Sequence, residues 1–364
     1  MSRSGGTERV AANLCNRWAE DGKNIVIVAI EPGRRSFYPL AEKAKILSLD
    51  IPRPQNLFSW FTWYFRVVRK LRPLLKILGP DFVIGFSSNP SCCAIDSSLG
   101  LPLRAVAFEH MHCRYYWDNV SWSVRFVYFV RRLLYPLADA VVALTEKDRK
   151  YFARFCRRTF AIPNAITGLA YENAKIDYAA KRVLAVGRIS KQKGFDLLLK
   201  AWEQIFRDYP EWELCIVGGK APEEAAYIKQ FEELAGWRAV SGSVRILPPV
   251  SNILEYYRSA SVFVMSSRWE GFPMALLEAM CCGLAAVSFD CPNGPADLVN
   301  DEVNGLLVPP EDVDGLAKSL SRLMADESLR CRLGRAAADV RLAYAWENVS
   351  LLWQNLFRLS LKGE

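Results

Sequence analysis

Ser266-Ser-Arg-Trp-Glu270-Gly271-Phe272-Pro273-Met-Ala-Leu-Leu-Glu278-Ala-Met280 follows the apolar run Val262–Met265, and the fold is read outward from it. Proline suits the first position of a helix, where its missing N–H would have no partner, so Pro273 predicts a helix start. Glu270 then falls in the preceding loop and Glu278 a turn or more into the helix. The free backbone amides at such an end face a ligand. Glu270 beside them can accept hydrogen bonds from sugar hydroxyls, and an ionised Glu278 can accept from both hydroxyls of a ribose. Either acid alone reads better as an ordinary solvated helix-entry residue.

Upstream, Gly187-Arg188-Ile-Ser-Lys-Gln-Lys193-Gly194 lies between the run Val183–Val186 and a helical pattern beginning near Phe195. A strand, a turn with glycines at both ends and a helix amino terminus form an anion site, to which Arg188 and Lys193 add two cations. A diphosphate is the natural ligand. Short glycine motifs recur by chance, and this octet alone is matched as well by a solvated turn. The dicationic turn and the diacidic helix entry gain their meaning jointly.

Around both stretches, short β-rich runs alternate with helical ones. The first half carries Ile25–Ile30, Ile46–Leu49, Phe82–Phe86, Ala105–Phe108 and Ala140–Leu144; the second carries Val183–Val186, Leu214–Val217, Val244–Leu247, Val262–Met265, Ala285–Phe289 and Leu306–Val308. This rhythm predicts an α/β protein with two parallel sheets in series, each covered on both faces. The predicted domains are residues 1–168 and 169–343, both Rossmann-like, with 344–364 as a helix packing back toward the first. Its apolar face is drawn through Trp346, Leu351, Trp353 and Phe357. Ligands of such sheets sit beyond the carboxyl ends of the strands, so two facing domains create a cleft there.

Composition narrows the function. The 364 residues are 51% hydrophobic, yet no apolar run approaches the roughly 18 residues that span a bilayer. The amino terminus has no apolar core of a secretory signal, and a cytoplasmic protein is expected. The ten cysteines show no Cys-x-x-Cys pair, and the two histidines, His110 and His112, are too few for an imidazole metal centre. Residues 1–170 hold 25 Lys and Arg against 13 Asp and Glu, a net of +12, while the remainder holds 22 against 26, a net of −4. The first half therefore faces an anionic partner. No nucleic-acid-binding module accompanies that charge, and nucleic acid is not expected.

The basic character peaks between residues 51 and 80, with six basic and no acidic side chains and Trp60, Phe61, Trp63, Tyr64 and Phe65 at its amino-terminal end. Arg66, Arg69, Lys70, Arg72 and Lys76 predict a basic surface lying on anionic lipid or an anionic acceptor, with the aromatics inserted at the interface. The alternative is a core of aromatics with a solvated basic face. For the second such stretch, Trp117 to Tyr135 with Arg125, Arg131 and Arg132, the core reading is preferred.

The pair Gly-Arg-x4-Lys-Gly and Glu-x7-Glu, about 80 residues apart, resembles the donor domain of family 4 glycosyltransferases. The likeness extends through Ser288-Phe-Asp-Cys291-Pro-Asn-Gly294-Pro295 and Val303-Asn-Gly305, and back into Ala140–Glu146 and Ile162-Pro-Asn164. It implies the GT-B fold of two facing Rossmann-like domains. It also implies that Arg188 and Lys193 bind the donor diphosphate, Glu278 the ribose, and Glu270, with Gly271, Phe272 and Pro273, the transferred sugar. His110, just after Ala105–Phe108, stands where the family places a histidine toward the donor sugar, in preference to His112. Gly5, Gly6 and Thr7 match the loop beside the donor phosphates and acceptor. Family members carry a full strand before that loop, whereas Met1–Ser4 precede it here, so the first domain is expected to lack a central strand.

The resemblance further implies a retaining transfer of hexose or N-acetylhexosamine from a nucleoside diphosphate sugar, a UDP-sugar, with no metal or other cofactor. The acceptor it implies is a polyprenyl-diphosphate-linked glycan, met on the inner face of the cell membrane. Two other readings stay open: a nucleotide-sugar epimerase of the same fold, and a catalytically dead sugar-nucleotide binder or membrane scaffold.

Overall fold

The computed structural model describes residues 6–33, 36, 38–54, 56–110, 122–166, 171, 175–219, 225–233, 242–250 and 252–361. Two compact units emerge, the first made of Met1–Asn164 with Ser350–Glu364 and the second of Ala165–Val349. The second division falls inside a helix, Trp346–Leu361, rather than at the sequence-based limit of 343.

The second unit is built on six strands: β7 (Arg182–Val186), β8 (Glu213–Val217), β9 (Val244–Leu247), β10 (Val262–Met265), β11 (Ala285–Phe289) and β12 (Leu306–Val308). Every neighbouring pair is parallel, in the order β12-β11-β10-β7-β8-β9. β10 and β11 are buried at every residue, as expected of Val- and Ala-rich runs without polar alternation in a sheet covered on both faces. The covering helices include Phe195–Ile205 and Val313–Ala325, which pack together, and Trp202, Leu198, Leu316 and Leu320 join the core beneath them.

The first unit begins with helix α1 (Gly6–Glu20). Its strands form two sheets with no hydrogen bonding between them among the described residues. One is the parallel pair β1 (Val26–Ala29) and β2 (Lys45–Ser48); the other is β3 (Phe82–Phe86), β4 (Arg104–Phe108), β5 (Ala140–Ala143) and β6 (Thr159–Ala161), all parallel. β6 is an addition to the sequence reading, because Thr-Phe-Ala is too short to carry a pattern.

Helix α2 (Leu57–Leu78) starts on a capping box, in which Asn56 and Ser59 exchange side-chain-to-backbone hydrogen bonds, and ends on Gly79 in the left-handed region. It buries Trp60, Trp63, Tyr64, Val67 and Leu71 against Cys92, Cys93 and Ile95 of helix α3 (Ser88–Ser98). Within this unit Trp353 of the terminal helix meets Trp18 at 5.2 Å and Phe108 at 5.1 Å between ring centroids, both edge to face. That helix buries Trp353 and Leu356, while Leu351 is 59% exposed and lies off the apolar face drawn from sequence. No described helix is long and apolar enough to cross a membrane.

Candidate active site

In the second unit the chain runs from β7 outward through β8 to β9, then crosses back to place β10 on the other side of β7. The carboxyl ends of β7 and β10 therefore flank a crevice where the strand order reverses, the usual ligand position of an open parallel sheet. The loop after β7 is Gly187–Gly194 and the loop after β10 is Ser266–Pro273. Both quoted motifs meet at this point.

The two loops are fastened along their length. The Arg268 amide donates to the Gln192 carbonyl at 2.8 Å, and Gln192 Nε2 donates to the Trp269 carbonyl at 3.1 Å. Ser266 Oγ donates to the Lys193 carbonyl at 2.9 Å. Gly194 has φ 61°, and a Cβ there would stand 2.1 Å from the Ser266 carbonyl oxygen, so only glycine permits this approach. At the centre, Lys193 Nζ donates to Glu270 Oε1 at 2.6 Å, and Ser267 Oγ donates to the same oxygen at 2.7 Å. Glu270 is 5% exposed. Arg188 is exposed beside them.

Arg268, unassigned from sequence, binds Asp196 in the first turn of Phe195–Ile205 with a two-pronged contact of 2.8 and 2.6 Å, and its Nη1 also donates to the Lys191 carbonyl at 2.9 Å. Burial alone would raise the Asp196 pKa, but hydrogen bonds from Arg268 and Tyr227 outweigh it and hold the carboxyl below its ordinary value. The bond to Asp196, working against burial, pushes the Arg268 guanidinium above its own ordinary value.

Helix Met274–Cys282 begins one residue later than the proline rule predicts, because Pro273, at ψ 73°, stays outside the helical region. The Leu277 amide still donates to the Pro273 carbonyl at 3.0 Å. Gly271 is partly exposed, and Phe272 and Pro273 are buried. Glu278 is 4% exposed, and Tyr257, on helix Ile253–Arg258, donates its hydroxyl to Glu278 Oε2 at 3.0 Å. Nothing in the sequence singled out Tyr257, which sits where a core aromatic is expected.

In the first unit, His110 follows β4, with its ring stacked on Phe86 at 5.4 Å and tilted against Phe108 at 4.1 Å. Burial pushes its pKa down to about 3, so the imidazole is neutral at physiological pH, and Nε2 has no hydrogen-bond partner among the described residues. Glu109 beside it, 2% exposed, accepts from Ser88 Oγ at 2.8 Å and from the Tyr135 hydroxyl, with Arg131 Nη1 at 3.8 Å. Gly6 and Thr7 form the first turn of α1; Gly5, His112 and residues 117–121 of the second aromatic-basic stretch lie outside the described residues.

The described part of that second stretch, helix Trp122–Leu134, corrects the core reading in part. Arg131 and Tyr135 are buried, but Phe129 and Leu133 are each 58% exposed. On α2, Arg66, Arg69 and Lys76 are exposed, whereas Lys70 donates to the Leu49 carbonyl at 2.6 Å and Arg72 to the carbonyls of Ser97 and Leu99. Phe58 and Phe65 stand 81% and 67% exposed between the bases and the amino-terminal end. The described cysteines are free, and no described group of three or more His, Cys, Asp and Glu could hold a metal ion.

Residues 172–340 match the family model for group 1 glycosyl transferases, and residues 4–167 match that for glycosyltransferase family 4. The amylovoran biosynthesis glycosyltransferase of Erwinia amylovora is 31% identical over 98% of this chain and 97% of its own. A Campylobacter jejuni α-1,4-N-acetyl-D-galactosaminyltransferase, named for an undecaprenyl-diphosphate-linked acceptor, is 28% identical over 91% of this chain and 88% of its own. Among solved structures, sucrose-phosphate synthase from Thermosynechococcus elongatus superposes with a TM-score of 0.83 at 20% identity, over 99% of this chain and 94% of its own. Two Rossmann-like units, two family models that divide the chain between them and a full-length relative above 30% identity lead to one assignment: the chain belongs to the group 1, family 4 glycosyltransferases of the GT-B fold.

Proposed function

We propose that this glycosyltransferase moves a hexosyl or N-acetylhexosaminyl group from a UDP-sugar to a polyprenyl-diphosphate-linked glycan, with retention at the anomeric carbon and without a divalent ion. The observation that carries this reading is the 2.6 Å contact of Lys193 with Glu270 at the strand-order reversal, which unites the cation of one motif with the carboxylate of the other. A donor laid against that pair presents its diphosphate to Arg188, Lys193 and the amides opening helix Phe195–Ile205. Its sugar hydroxyls meet Glu270 and the Gly271 and Phe272 amides, with Pro273 closing the loop, and its ribose meets Glu278. As the glycosidic bond breaks, charge grows on the leaving phosphate, and fixed cations and helix-end amides stabilise it, the task a metal performs elsewhere.

On the acceptor side, His110 offers a neutral imidazole, a hydrogen-bonding group rather than a cation. Gly6 and Thr7 supply amides at the start of α1, beside Gly5. Arg66, Arg69 and Lys76, with Phe58 and Phe65, suit an anionic membrane surface that presents the lipid-linked substrate. The named acceptor of the Campylobacter relative supports the same substrate class.

The test is a panel of radiolabelled UDP-sugars incubated with polyprenyl-diphosphate-linked glycans in vesicles, with EDTA present throughout. Transfer to lipid is expected, with the product anomer matching the donor's by NMR, and a loss of ~100-fold or more in Lys193→Ala and Glu270→Ala. Release of an epimerised sugar without acceptor would reveal an epimerase instead. Donor binding with neither transfer nor hydrolysis would reveal a binder, and either result overturns the proposal.

A further inference from the structure

Helix Met274–Cys282 is apolar apart from one residue. Leu276, Leu277, Ala279 and Met280 are fully buried, and Glu278 lies among them at 4% exposure. A carboxylate at that depth is costly unless charge-strength hydrogen bonds compensate. One comes from Tyr257, which is itself fully buried on a neighbouring short helix and donates to Glu278 Oε2 at 3.0 Å. The same hydroxyl lies 3.3 Å from the Ala275 carbonyl, and a phenol has one proton to share between them. The charged oxygen takes the larger share of it.

The support behind this hydroxyl is rigid. The Tyr257 ring packs against Phe263 of β10 with 6.1 Å between centroids, and tyrosine has few rotatable bonds to freeze. A phenylalanine would fill the same volume, so the oxygen is accounted for by what it touches rather than by packing.

We propose that Tyr257 is a positioning residue for Glu278: its hydroxyl fixes the plane of the carboxylate, so that Glu278 selects a nucleotide carrying both ribose hydroxyls over one lacking them. The inference rests on the reading of Glu278 as the ribose carboxylate. A site built to pair with substrate hydroxyls discriminates sharply against an analogue without them, because its own polar groups are then left unpaired. That discrimination depends on carboxylate orientation, and orientation is what Tyr257 controls.

The experiment measures, by calorimetry, binding of UDP, GDP and ADP and of their 2′,3′-dideoxy counterparts to the wild type, Tyr257→Phe and Glu278→Gln, with thermal melts establishing that each variant folds. For whichever base the wild type binds most tightly, Tyr257→Phe is expected to lose about tenfold in affinity for the ribonucleotide, the scale of one hydrogen bond to a charged group. Its affinity for the dideoxynucleotide should stay within about twofold of wild type. Glu278→Gln should show the same selective loss, at least as large. Equal losses for both nucleotides in Tyr257→Phe, or loss for neither, overturn the positioning role, while the ribose role of Glu278 stands if Glu278→Gln still loses affinity for the ribonucleotide selectively. Absence of a selective ribonucleotide loss in Glu278→Gln, or no nucleotide binding by the wild type, instead overturns the donor reading beneath it.

Discussion

His110 packs against Phe86 and Phe108, and burial alone takes its pKa from 6.5 to about 3. The unfolded chain binds that proton readily and the folded protein resists it. Between pH 6.5 and about 3 the unfolded state therefore holds more protons, so stability falls as pH is lowered through that window and is fully present above it. His110→Phe removes this term: denaturant midpoints at pH 7 and pH 4 should lie closer together in the variant than in the wild type, and equal separations would show that the histidine ionises freely in the fold. At this scale the sequence was readable wherever a motif is local. Lys193 and Glu270 could each be named from spacing, and the fold brings them into contact. Tyr257 and Glu278, or Arg268 and Asp196, are joined only through tertiary packing across 21 and 72 positions, and no local periodicity carries such a pairing.

Helix α2 divides between its two faces the aromatics that the sequence left either to the core or to a surface. Its 3.6-residue period sends Trp60, Trp63, Tyr64 and Val67 inward, while Phe58 and Phe65 share the outer face with Arg66, Arg69 and Lys76. Composition could count the aromatics but not divide them, since that division needs the helical phase, which the inward set Trp60, Trp63, Tyr64, Val67 and Leu71 fixes. If the outer face seats on anionic lipid, Phe58→Ser with Phe65→Ser, or Arg66→Gln with Arg69→Gln, should lower sedimentation with phosphatidylglycerol vesicles about tenfold, the scale of two lost surface charges or two buried rings. The charge variant alone should track ionic strength. Unchanged partitioning in both would locate the membrane contact elsewhere. The strands were easier to read than this helix: buried parallel strands are written as short, nearly uninterrupted apolar runs, and only Thr159–Ala161 was too brief to see.

For the molecule as a whole, alternating strands and helices made two parallel α/β units legible, but neither the separation of β1 and β2 from the sheet β3–β6 nor the limits of the units was. The terminal helix is continuous from Trp346 to Leu361, so no break in pattern marks the change at Val349 and Ser350. Cutting the chain after Val349 removes Trp353 and Leu356, both essentially fully buried, and leaves Trp18 and Phe108 facing a void. Losses of about 3–5 kcal/mol for a buried Trp and 2–5 for a buried Leu are expected, enough to unfold the first unit. Hydrogen exchange should then report unprotected amides in β3–β5 with the second unit still folded; full protection there would show the terminal helix to be dispensable. The arrangement also bears on synthesis. A domain that precedes another in a chain ordinarily folds while the later one is being translated, but here Trp353 and Leu356, which close the core of the first unit, follow the whole of the second. The first unit must wait, partly assembled and with aromatic surface uncovered, until the ribosome has passed residue 356, which makes the second unit the first to finish.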